Sequence, residues 1–562
     1  MSPVVPRPSP HLPARDAVIV LALAALPLLA VVGGGFVADD FFFVTVLERT
    51  ATPWFSYLAG AVTATYDIPT TFYRPLAMAS LLADLRMWGS DPWALHVVNL
   101  ALHAVAALAT WGIARRLVAG PQARAAALVA AVAWAWFPRR VEAVAWISCR
   151  PDLLATALAA LGLWVWVEGA RLHRTPLRAL GVLLWGAALF AKESVVALPL
   201  ALVAWPALDG RVPAGDVLAR FTRTAARAVA LWPFVVMGGV YFAFRYAATG
   251  AIVGGYGETA LTFSFTSALK HLVYPALPPL EFLNRVLVDP GAFLPAAIVV
   301  AVVGGGLWTT VALTSDRPAV AFGALWWLAA ALPVLPLPPS LTTTFNDRLM
   351  YLSGIGLALV LAGWWAGGRR PARVAIALFV LATTAKTLLT AARWPVAGAI
   401  AARIVEAVAA EAAREPVSTR IAVATAPDTF RGAYILRTRL DYALQRAGVA
   451  LPGRAGVLSP ALLEQPTDGP VDVEAVGPDG LRLRGRNGRP EVMMGNVSRL
   501  ATVTGDSGFP RDRYGRYREV VLRLDQRALV LTATGDGVRS LGVLGPPAFA
   551  DPQLTPRVGP KE

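Results

Sequence analysis

The stretch Val18–Val37, VIVLALAALPLLAVVGGGFV, carries no charge and runs directly into Ala38-Asp39-Asp40-Phe41-Phe42-Phe43. A helix that crosses a bilayer needs about 20 predominantly apolar residues, so this run predicts a membrane span. It is too long for a secretory signal and lacks a small-residue cleavage site, so it reads as a retained anchor. Carboxylates are costly at or near hydrocarbon, and an adjacent pair at the end of a span is a functional candidate. Asp39 and Asp40 are therefore the candidate catalytic residues.

The rest of the chain extends this reading. Of 562 residues, 56% are hydrophobic and 15% charged, with mean hydropathy +0.55; soluble domains carry about 25% charged residues. Further apolar runs fall near Trp93–Ile113, Ala125–Phe137, Leu153–Val167, Leu177–Phe190, Val195–Ala207, Ala228–Tyr246, Ala292–Leu313, Val320–Leu337, Leu349–Trp365 and Val374–Leu389. Together they predict a polytopic α-helical membrane protein of about eleven spans, an odd number that puts the termini on opposite sides. Arginines at 115, 116 and 124, at 171, 174 and 178, at 211, 220, 223 and 227, at 317, and at 369, 370 and 373 fall in alternate loops. By the positive-inside rule those loops and the N-terminus are cytoplasmic.

The predicted organisation is a cytoplasmic tail over 1–15 and a membrane domain over 16–394, whose first outer loop is 38–92. A connecting helix over 395–415, an extracytoplasmic α+β domain over 416–544 and a loose Pro-rich tail over 545–562 follow. Within the first loop, Phe41–Tyr57 and Leu76–Trp88 read as amphipathic helices on the membrane surface. In the C-terminal domain, strands are predicted at Arg420–Thr425, Val471–Ala475, Leu481–Gly485, Glu519–Leu524 and Ala528–Thr534, and a helix at Phe430–Arg446.

The net charge of +15 follows from the basic inner loops, so membrane lipid, and not nucleic acid, is the implied partner. The single cysteine, Cys149, excludes an internal disulfide. No Cys/His spacing predicts a metal site; a divalent metal is compatible with the acidic pair and not required by it. His96, Asn99 and His103 read as polar packing groups of one helix, with a metal site as the alternative reading.

Cations on the outward side run against the charge rule. Arg74 lies in Phe72-Tyr73-Arg74-Pro75-Leu76; Arg139, Arg140 and Glu142 lie in Phe137–Trp146, followed by Arg150 and Asp152. Lys192 and Glu193 occupy a short turn, and Asp347, Arg348 and Tyr351 open a later span. A cationic basin beside carboxylates suits a phosphate-bearing lipid substrate that reacts with a hydroxyl. A cation can hold the phosphate, and a carboxylate can take the hydroxyl proton.

In order, Asp-Asp after the first span, Tyr-Arg-Pro-Leu, Pro-x-x-x-Glu-Ala-Val-Ala-Trp-Ile-Ser-x-Arg-x-Asp, Lys-Glu-Ser and Asp-Arg-x-x-Tyr-Leu resemble the GT-C glycosyltransferases. The likeness is to the protein O-mannosyltransferases with transmembrane and tetratricopeptide-repeat regions and to their bacterial relatives. It covers about Asp39 to Val360, and the repeats are absent here. The resemblance implies inverting transfer of a sugar from a polyprenyl-phosphate donor to a hydroxyl of an acceptor protein or envelope glycan or lipid, at the outer face of the inner membrane. It implies Asp39 or Asp40 as general base, and Arg74, Arg139, Arg140, Arg150, Lys192 and Arg348 on the donor phosphate. Glu142, Asp152, Glu193, Asp347 and Tyr351 belong to the same motifs as substrate-site residues. Around Pro138, where the relatives carry histidines, this chain has Phe137, Arg139 and Arg140. A transporter of lipid-linked sugar or a non-catalytic envelope scaffold are the rival classes; the chain lacks the internal symmetry common in transporters.

Overall fold

The computed structural model describes residues 14–63, 72–205, 229–252, 265–278, 317–337, 339–340, 344, 346–417, 419–436, 439–449, 455–463, 471–485, 492–493, 501–506, 516–517, 519–534 and 537–545. The chain is mostly helical up to Ala412 and carries β-structure from Arg420 onward. It divides into two compact units: Met1–Gly34 with Val46–Ala392, and Gly35–Thr45 with Arg393–Glu562.

In the first unit the helices are Ala14–Ala25, continued as a 3-10 helix to Gly33, then Trp54–Thr63, Pro75–Trp88, Pro92–Leu117, Ala123–Ala135, Val141–Ala145, Arg150–Arg171 and Thr175–Ala191. Trp232–Thr249, Phe265–Val273, Arg317–Ala331, Ser353–Gly367 and Arg370–Ala391 follow. Local chemistry sets many starts. Proline occupies the first helical position at Pro75 and Pro92 and the second at Pro151 and Pro371, where its missing N–H leaves no intrahelical bond unmade. Asp91 caps one of these helices by accepting from the Trp93 N–H at 2.9 Å.

Among the described residues, Ala14–Gly33, Pro92–Leu117, Ile147–Arg171 and Arg370–Ala412 are long and apolar enough to cross a membrane. Shorter apolar helices stand at Ala123–Ala135, Thr175–Ala191, Glu193–Val203, Pro318–Val334 and Ser353–Gly367. The run expected at Val195–Ala207 forms 3-10 turns over Glu193–Val195 and Leu198–Ala204. The run at Ala292–Leu313 lies outside the described residues. The surface helix expected at Phe41–Tyr57 is two helices, Asp40–Arg49 and Trp54–Thr63, interrupted at Pro53, which cannot continue the first.

Helix pairs in this unit touch through glycine. A methyl group on Gly162 would lie 2.8 Å from the Gly181 carbonyl oxygen, and one on Gly181 would lie 2.6 Å from the Gly162 oxygen. Small residues are what lets helix backbones approach this closely where lipid supplies no hydrophobic drive between helices.

The second unit contains helix Arg393–Ala412 and two main sheets. The central strand of the first, β1 (Arg420–Phe430), is parallel to both β2 (Ala455–Leu463) and β3 (Ala528–Ala533). It is buried along nearly its whole length, as strands covered on both faces are. The second sheet is antiparallel, in the order Val471–Val476, Gly480–Gly485, Glu519–Leu524, Ala501–Asp506. Ala422 and Val530 of the first sheet and Leu481, Leu483 and Leu522 of the second share one apolar core.

The helix expected at Phe430–Arg446 begins only at Leu440. The strand instead continues to Phe430 and folds back at Ala433–Tyr434. Arg431 and Gly432 take φ of 48° and 92°. Two successive left-handed residues make the tight hairpin turn whose twist matches paired strands. The apolar residues flanking that turn read equally well as helix, and the pairing decides between them.

Candidate functional site

Between Ala135 and Arg150 the chain leaves regular helix. Pro138–Arg140 is a 3-10 turn, Val141–Ala145 a single helical turn, Trp146 is extended, Ile147–Cys149 is a second 3-10 turn, and a long helix starts at Arg150. This compaction places Arg139, Arg140, Glu142 and Arg150 within one short segment, each at most 1% exposed. Burying such charges is costly unless they are paired, and nearly all find partners from distant sequence.

Glu142 receives two bonds from Arg348. The backbone N–H donates to Oε2 at 2.7 Å and Nη1 to Oε1 at 2.6 Å. The Arg348 guanidinium also lies over the Trp146 ring at 5.1 Å. Lys192 Nζ donates to Asp152 Oδ1 at 2.5 Å. Arg74 pairs with Glu193 at 3.3 Å. Arg139 pairs with Asp347 and donates to the carbonyls of Leu277 (2.7 Å) and Ser340 (3.0 Å). Cys149 is buried in the same segment.

Arg140 and Arg150 differ from the others. Arg140 donates to the Met350 carbonyl at 2.6 Å and lies 5.7–5.8 Å from the Trp134, Phe137 and Tyr351 ring centres. Gly354 leaves the space its guanidinium fills. Arg150 donates to Asn99 Oδ1 (2.6 Å), Ser80 Oγ (3.1 Å), Asp84 Oδ2 (2.5 Å) and the Leu95 carbonyl (3.3 Å). With those donors engaged and no exposure, Arg150 is the centre of an internal brace. Tyr351 is buried too. Its hydroxyl meets His103 Nδ1 at 2.6 Å, and His103 stacks on Trp134.

The electrostatics follow from burial. Burial pushes the Asp347 carboxyl up to about 7, with Glu142 adding to the rise and Arg139 opposing it. Burial likewise lowers Arg140 to about 10. Asp84 is raised by burial against the pull of Arg150.

Two members of the cluster went unread in the sequence. Asp84 is the acidic partner of Arg150. Arg245 is 2% exposed, donates to Tyr241 Oη at 3.3 Å and has no partner for Nε among the described residues. The signal for Arg245 was an arginine inside an apolar run. Arg140 and Arg245 have no carboxylate at ion-pair distance among the described residues, so cations outnumber carboxylates in this cluster. An anionic ligand could balance that excess.

The acidic turn belongs to the second unit. Asp39 is half-buried and starts helix Asp40–Arg49 by accepting the Phe42 and Phe43 N–H groups on its carbonyl, both at 3.1 Å. Asp40 is fully buried, and its Oδ2 accepts the Val37 N–H at 3.2 Å. Between them and the preceding span, Ala38 sits in the left-handed region at φ 46°.

No protein-family model matches the chain, and no curated protein matches it either. Among solved structures, it is similar to the crystal structure of ArnT from Cupriavidus metallidurans bound to undecaprenyl phosphate. The sequences are 12% identical, the match covers 77% of this chain and 84% of that one, and the TM-score is 0.42.

Proposed function

We propose that this protein is a membrane glycosyltransferase of the GT-C kind. It transfers a sugar from a polyprenyl-phosphate donor to a hydroxyl acceptor at the outer membrane face. The observation that carries the reading is the charged cluster of the first unit. Motifs 40 to 208 residues apart pair there as Arg348–Glu142, Lys192–Asp152, Arg74–Glu193 and Arg139–Asp347, with cations in excess. Such a cluster suits a lipid phosphate whose leaving oxygen gains charge as the bond to the sugar breaks.

In the proposed reaction the acceptor hydroxyl attacks the anomeric carbon from the face opposite the phosphate. Its proton passes to a carboxylate, the bond from anomeric carbon to phosphate oxygen breaks, and the electron pair leaves with polyprenyl phosphate. The sugar is transferred with inversion. Arg74 and Arg348 are assigned to the phosphate because their side chains retain 14% and 15% exposure, with the buried Lys192, bonded to Asp152, as a further cation of the cluster. Arg139 and Arg140 stand behind them, and Arg150 supports the scaffold.

Asp39 is the better candidate for the base. It is half-buried, whereas the Asp40 carboxylate is fully buried on the Val37 amide. The test is transfer from a panel of radiolabelled polyprenyl-phosphate sugars by the purified protein. Asp39→Asn should lower turnover by ~10²–10⁴, the usual worth of a positioned proton acceptor, with donor binding retained. Undiminished transfer by Asp39→Asn would remove the assignment, and transfer of no sugar by the wild type would remove the enzyme reading.

A further inference from the structure

We propose that the C-terminal domain is the clamp that holds the acidic turn in its working shape, with Arg439, Tyr442 and Arg446 as positioning residues for Asp39. The inference rests on the reading above for what the turn does. Its structural content stands on contacts made wholly within the second unit.

The turn is a conformation that must be held. Ala38 has φ 46° and is 1% exposed. A non-glycine residue stays in the left-handed region only where its surroundings over-determine it. The restraints come from the C-terminal half of the unit. The Ala38 N–H donates to the Ile435 carbonyl at 2.9 Å, just after the β1 hairpin. Phenylalanines on either side of the acidic pair are each covered by an arginine: Arg439 lies 4.3 Å over the Phe42 ring and Arg446 lies 5.0 Å over the Phe36 ring. Tyr442 meets Phe42 edge-on, with ring centres 4.9 Å apart.

Tyr442 and Arg446 are four residues apart on one face of helix Leu440–Arg446, and Arg439 is the residue just before that helix, at φ 66°. A second hold is independent of these rings. Gly398 passes so close to Gly35 that an added methyl would lie 2.7 Å from the Gly35 backbone nitrogen.

A base that is out of place by about 1 Å can lose ~10² in rate. Two bonds close the turn locally, from the Asp40 N–H to the Val37 carbonyl at 3.0 Å and from the Val37 N–H to Asp40 Oδ2 at 3.2 Å, and the Ile435, aromatic and cationic contacts above tie that turn to the C-terminal half of the unit.

The test uses the full chain in lipid nanodiscs, with hydrogen exchange at amides 37–43 read beside sugar transfer. The variants are the double substitution Arg439→Ala with Tyr442→Ala, the conservative Tyr442→Phe, and Gly398→Ala. The last adds a methyl to a helix that favours alanine over glycine, so it perturbs the turn without weakening its own element. The double variant and Gly398→Ala should exchange about tenfold faster at 37–43, a local opening, with amides 421–424 and 529–531 still protected. They should lower kcat by about 10²-fold with donor KM unchanged, and Tyr442→Phe should match the wild type in both. Unchanged exchange at 37–43 in the double variant and in Gly398→Ala would overturn the clamp. Faster exchange with undiminished kcat would overturn the positioning role. A wild type that transfers no sugar would sink the enzyme reading, while the exchange result still decides the clamp.

Discussion

Replacing Asp347 by asparagine should stabilise the protein at alkaline pH, although it removes one partner of a buried ion pair. Both Asp347 and Arg139 are fully buried, and breaking such a pair usually costs about 3–5 kcal/mol. Here the geometry and the proton affinity point in opposite directions. The contact with Arg139 favours the carboxylate, but burial and the charge of Glu142 outweigh it, and the carboxyl rises from 3.8 to about 7. Burial prevails, because Arg139 divides its donors between Asp347 and the Leu277 and Ser340 carbonyls. The folded state then keeps a proton that the unfolded chain releases. Stability falls as pH rises from about 4 to about 7 and is flat above that window. Three powers of ten in protonation correspond to about 4 kcal/mol, so Asp347→Asn should recover about that much at pH 8.5 and nothing near pH 4. Thermal unfolding of purified protein at both ends of the window measures it. The variant should melt several degrees higher than wild type at pH 8.5, with the gap closing as pH falls. A variant that melts lower at pH 8.5 would refute the argument and make Asp347 an ionised, stabilising partner of Arg139.

Arg150→Ala should act on the fold and not selectively on substrate. It strands the buried Asp84 carboxylate, at a cost of about 3–5 kcal/mol, whereas Arg74→Ala, whose partner Glu193 keeps 26% exposure, should weaken donor-lipid binding by about 1.5–3 kcal/mol with a smaller fall in melting temperature; equal effects on both readouts would erase that distinction. Reporter fusions after Arg174 and Arg373 should report the cytoplasm, and a fusion after Glu415 the outer side; a cytoplasmic signal at Glu415 would place the C-terminal domain on the wrong side for its proposed role.

Hydropathy by itself determined that this chain carries helices able to cross a membrane, because a run such as Val18–Val37 is a local property that needs no knowledge of neighbours. Local pattern also found strands at Val471–Val476, Gly480–Gly485, Glu519–Leu524 and Ala528–Ala533 close to their observed bounds, since alternation and turn residues are short-range signals. It failed at Phe430–Arg446, where an apolar run fits two periods and the hairpin pairing to β1 decides. It also named most of the charged residues of the candidate site, because a cation where the charge rule disfavours one stands out in sequence alone.

Only the tertiary structure decided which charge answers which. The partners Arg139 and Asp347, or Glu142 and Arg348, are about two hundred residues apart, and nothing local links them. Packing brings them together, and the cost of burying a charge unpaired then selects the match. The same packing turned Arg150 from a phosphate candidate into a brace. It also grouped the acidic turn of Gly35–Thr45 with the C-terminal domain, through ring contacts whose partners lie some four hundred residues along the chain.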